Sequence, residues 1–96
     1  MSKHSERFIN FIEKNSDLFW HFDKKKLSNL SDAVVVEYIL NFGDESTVKE
    51  LIDILGVNKT AEIFFKNTEG KDRKNYFPQV ENFFRLYFTR HAHRNT

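Results

Sequence analysis

Four imidazoles, His4, His21, His91 and His93, are the side chains of this sequence best placed by type for metal or proton chemistry. The His91-x-His93 pair could clasp a metal opportunistically, but no third ligand stands near it and an exposed tail is a poor cage. No metal site is expected. The absence of cysteine removes disulfides and thiolate metal sites. The carboxylates fit solvent-facing helical positions, and nothing in the sequence pairs two of them across a cleft for acid–base work. Neither a phosphate-binding glycine loop nor a Gly-x-Ser-x-Gly elbow occurs, and three glycines leave little material for a nucleotide cradle. The chain reads as a protein without catalytic residues or cofactor, not an enzyme.

Charge offers a second kind of chemistry. The net charge is only +1, but residues 1–32, 33–65 and 66–96 carry +1, −4 and +4 respectively. Such polarity can steer a charged partner towards one end, against the commoner role of a solvated surface. The basic set of the last third includes Lys66, Lys71, Arg73, Lys74, Arg85, Arg90 and Arg94. Lys71, Arg73 and Lys74 fall on a loop beside Tyr76 and Phe77, a combination compatible with stacking on a single-stranded nucleic acid. The bland alternative is a solvated loop.

Val48 through Lys66 invites comparison with a helix-turn-helix, with Lys59 as its candidate phosphate contact. Such motifs want a small residue four places before the turn glycine and an aliphatic one six places after it. This chain has Ile52 and Glu62 there. Thr47 to Phe65 also carries Lys49 and Lys59 against Glu50, Asp53 and Glu62, whereas duplex binding draws on basic phosphate contacts. An ordinary helical hairpin is the favoured reading.

The remaining chemistry is aromatic. Eleven phenylalanines, three tyrosines and one tryptophan give the chain 16% aromatic content. Phe8, Phe11, Trp20, Phe42, Phe64, Phe84 and Tyr87 fall on apolar stripes or plug segments and are expected in the core. The last helical stretch carries more rings than one stripe requires, because Phe83, Phe84, Tyr87 and Phe88 spread over a wide arc. A helix apolar over that arc is either central to the fold or shared with a partner. Phe83, Arg85, Phe88 and Arg90 are the candidate partner contacts.

Periodicity supplies the elements that would carry these residues. A first helix from about Ser5 to Lys14 aligns Phe8, Ile9, Phe11 and Ile12, with Ser5 as N-cap. Asp17 to Asn29 suits an irregular or short helical connector. Ser31-Asp32 caps Ala33 to Phe42, whose stripe reads Val35, Tyr38, Ile39 and Phe42, and Gly43 is placed to end it in a left-handed conformation. Asp44 or Ser46 opens Thr47 to Leu55, with Val48, Leu51, Ile52 and Leu55 inward and Gly56 as stop. A fourth helix covers about Asn58 to Lys66, before a polar loop from Asn67 to Asn75. Pro78 belongs in the first turn of the last helix, where its missing N–H costs nothing. The basic tail from His91 to Thr96 is expected to fray.

Ninety-six residues with 40% hydrophobic content suit one domain, residues 1–96, and one core. The expected architecture is all-α: five short helices in an orthogonal or bundle-like arrangement. Residues 1–15 mix charges with apolar residues, unlike a secretory signal, and no stretch approaches the ~20 apolar residues of a membrane span. A cytoplasmic, non-membrane protein is expected.

Leu18-Phe-Trp-His-Phe-Asp23, Glu37-Tyr-Ile-Leu-Asn-Phe-Gly-Asp44 and Val80-Glu-Asn-Phe-Phe-Arg-Leu-Tyr-Phe88 together resemble a family of small, uncharacterised bacterial helical proteins regarded as antitoxins, encoded beside nucleotidyltransferase-type toxins. Order and approximate spacing agree across about 70 residues. That family usually has Phe-Trp where this chain has Phe83-Phe84, and its last segment follows a Ser/Arg-rich turn that is longer here and contains Gly70. The resemblance transfers no catalytic residue. It implies a protein that works by binding and neutralising another protein, such as a nucleotidyltransferase-type toxin. The alternatives carried with it are a small helix-turn-helix-like nucleic-acid-binding regulator, a mobile-element inhibitor of a host nuclease, and a homodimer formed through the aromatic helix.

Overall fold

Local capping decides where the helices begin. In the computed structural model, which describes residues 5–68 and 76–92, helix α1 (Glu6–Lys14) starts where Ser5 Oγ accepts from the Phe8 N–H at 3.2 Å. Helix α2 (Asp32–Phe42) is capped by Ser31, and α3 (Glu45–Leu55) by Asp44, whose Oδ1 accepts from the Thr47 N–H at 2.8 Å. That hydrogen bond, with further help from the Thr47 and Ser46 side chains, holds the Asp44 carboxyl below the usual aspartate range. Helices α4 (Val57–Thr68) and α5 (Pro78–His91) complete the set, and two short 3-10 turns, Ser16–Phe19 and Lys24–Asn29, connect α1 to α2. The fold is all-α, with no strand among the described residues.

Glycine ends two helices by different means. Gly56, with φ of 88° and ψ of 145°, reverses the chain between α3 and α4 in one residue, a backbone conformation closed to most side chains. Gly43 does not take the left-handed conformation expected of it. Its φ is −76°, and the reason for glycine is steric: a Cβ there would stand 2.7 Å from the Ile39 carbonyl oxygen.

Helix α4 runs beyond Lys66, because Asn67 and Thr68 stay helical and the buried Thr68 hydroxyl donates to the Phe64 carbonyl at 3.0 Å. The rest of the expected loop, residues 69–75, lies outside the described residues, as do residues 93–96 of the tail. His91 is helical, the last residue of α5.

Helices α2 and α4 pack as the central pair, α3 flanks both, and α5 lies along α4. Their inward faces make one cluster: Phe8, Phe11 and Ile12 from α1, Val35, Val36, Ile39 and Leu40 from α2, and Phe64, Phe65, Phe84 and Phe88 from α4 and α5. The buried face of α2 is therefore rotated from the expected stripe. Val36 and Leu40 go inward, Tyr38 is half-buried and Phe42 is 41% exposed. Trp20, also expected in the core, is 64% exposed and lies against His21, with ring centroids 3.6 Å apart. It sits past the end of the first 3-10 turn, where Phe19 takes the inward position. No helix among the described residues is long and apolar enough to cross a membrane.

Candidate protein-binding face on helix α5

Helix α5 is positioned at its start by proline and by α2. Pro78 occupies the first turn, and the preceding Phe77 N–H, which the helix cannot use, donates to Asn41 Oδ1 at 3.2 Å. The Phe77 ring meets Phe42 edge-on at 5.6 Å, so the C-terminal end of α2 is tied to the N-terminal end of α5. One side of α5 then sinks into the core: Phe88 lies 5.5 Å from Phe64 and 6.5 Å from Phe65 between ring centroids, and Phe84 stacks on Phe88 at 5.6 Å.

The four candidate contact residues do not share a face. Phe88 is 0% exposed and cannot touch a partner; its assignment as a contact is corrected to core. The reason is angular. At ~100° per residue, Phe88 points about 140° away from Phe83 around the helix, while Arg90 falls within about 20° of it. Phe83 is 59% exposed and Arg90 is exposed. Arg85 lies on a flank, half-exposed, in an i, i+4 ion pair with the largely covered Glu81 carboxylate. That pair fixes the guanidinium along its own helix rather than beside Phe83.

The sequence reading missed Leu86, which is 59% exposed between Phe83 and Arg90. Its signal was the spacing of Gln79, Phe83, Leu86 and Arg90, four residues of one seam at intervals of four, three and four. Tyr87 supports the seam from the side, stacked on Phe83 at 6.2 Å and against His91 at 4.5 Å. Phe83, Leu86, Tyr87, Arg90 and His91 line a shallow recess of about 250 Å³. On the other side of Phe83, between α5 and α3, runs an open groove of about 360 Å³ whose lining includes Leu40, Val48, Ile52 and Phe84 and whose rim carries Asp44, Glu45 and Lys49. Lys49 and Glu45 pair across that rim at 3.2 Å.

Other parts of the surface bind themselves. A depression of about 440 Å³ between α1 and α3 is spanned by Lys14–Glu50 at 2.8 Å and flanked by Arg7–Asp53 at 3.1 Å. Lys59, the candidate phosphate contact of the helix-turn-helix comparison, stands 3.9 Å from Asp32 and links α4 to the start of α2. The α3–α4 connection is the single residue Gly56, where a DNA-reading helix-turn-helix uses a turn of three or four. Lys71, Arg73 and Lys74 lie outside the described residues. Among the described residues no three His, Asp or Glu side chains converge to hold a metal ion.

Tyr76 packs on Phe64 at 5.2 Å and is buried, and its hydroxyl has no hydrogen-bond partner among the described residues. Burial pushes its pKa up. The Asn67 amide is near enough to oppose that shift, and Glu37 adds a smaller upward push. The geometry gives no hydrogen bond between Asn67 and the hydroxyl; the Asn67 amide instead donates to the Ala33 carbonyl at 3.4 Å.

Comparison of the chain with protein-family models, with curated proteins and with solved structures returns no match.

Proposed function

We propose that this protein is a non-enzymatic interaction module that binds a partner protein through the outward face of α5, working in the cytoplasm. The observation that carries this reading is the exposure of Phe83 and Leu86, at 59% each, on a helix whose opposite face is locked into the core. Two large apolar side chains side by side in water, ringed by Arg90, His91 and Gln79, have the make-up of an interface centre with a polar rim. Phenylalanine and arginine are also among the residue types enriched at interfaces relative to the rest of a protein surface.

The class of partner comes from the family resemblance: an antitoxin-like protein that masks a nucleotidyltransferase-type toxin. Charge polarity suits that role, because the basic end of α5 would steer an acidic surface towards the apolar anchor.

The test is capture of partners on the tagged chain, with nuclease treatment, beside the same capture on Phe83→Ala. A stoichiometric nucleotidyltransferase retained by the wild-type chain and lost from the variant supports the reading. Retention of nucleic acid alone, falling as salt rises, would replace it with a nucleic-acid function.

A further inference from the structure

We draw no further inference here: the strongest candidate, the surface row of rings that runs from Trp20 and His21 over Tyr38 and Phe42 on α2 to Phe77 ahead of α5, is an unpartnered face, and nothing in the structure shows what covers it.

Discussion

Phe83 and Phe88 are five residues apart on one helix and live in different solvents: Phe83 is 59% exposed and Phe88 is 0% exposed, enclosed by Phe64, Phe65 and Phe84. Stability and binding should therefore separate between them. Phe88→Ala leaves a ring-sized void under α5 and should destabilise the protein by roughly 3–5 kcal/mol. Phe83→Ala removes a ring already in water, so the fold should change by no more than about 0.5 kcal/mol while partner affinity falls. Chemical unfolding of both variants beside a binding assay makes the check. Equal losses of stability would show that Phe83 belongs to the core.

The two glycines fail differently when replaced. Gly56→Ala forces a side chain into a backbone region that is essentially glycine's alone, with open space around it, and the cost of about 1–3 kcal/mol is torsional. Gly43→Ala has an ordinary φ but drives its Cβ to 2.7 Å from the Ile39 oxygen, so the end of α2 must shift. The cost is again roughly 1–3 kcal/mol. The sites are separated by all of α3, and the losses in thermal stability should add in the double variant.

What the sequence made legible follows from how redundant its signals were. The starts of α1 and α5 were marked by Ser5 and Pro78, that of α2 by Ser31-Asp32 and that of α3 by Asp44 or Ser46; Ser5, Ser31 and Asp44 are the observed caps, and Pro78 lies in the first turn of α5. The rotation of α2 was not legible. Nearly every residue from Ala33 to Phe42 is apolar, so periodicity alone could not choose between Val35-Tyr38-Ile39-Phe42 and the observed Val35-Val36-Ile39-Leu40 face. The choice is made by α4, against which α2 packs. The same ambiguity hid the site. Phe83, Phe84, Tyr87 and Phe88 are chemically alike, and only contact with Phe64 and Phe65 decides that Phe84 and Phe88 go in and Phe83 stays out.

Trp20 offers an optical check on that account. It is the only tryptophan and is 64% exposed. Its fluorescence in the native protein should be readily quenched by a small neutral quencher such as acrylamide. Its emission should also shift little on unfolding, even as circular dichroism loses its helical signal. Strong protection from acrylamide would return Trp20 to the core.

Asp44 gives the protein an acid limb. Its folded pKa lies below the usual aspartate range, chiefly because the charged carboxylate accepts the Thr47 N–H. A depressed carboxyl contributes stability that is fully present above the unfolded value and is lost as pH falls through the folded one. Asparagine caps without a titrating charge. Asp44→Asn should thus shallow the decline of thermal stability below about pH 4 while preserving α3 at neutral pH. An unchanged acid limb would assign that decline to other carboxylates.

Tyr76 works in the opposite direction of pH. Burial raises its folded pKa above the usual tyrosine value of about 10, so its contribution is fully present below the unfolded pKa. As pH rises past about 10, the unfolded chain gives up the phenolic proton while the folded chain still holds it, and stability falls. Tyr76→Phe keeps the ring that packs on Phe64 and deletes a hydroxyl without a partner among the described residues. At neutral pH the variant should be as stable as the parent or more so, because a buried, unmatched hydroxyl favours the unfolded state. Above about pH 10 it should lose less stability than the parent. Urea midpoints at the two pH values measure both effects. A loss above about 1 kcal/mol at neutral pH would mean that the hydroxyl is hydrogen-bonded in solution.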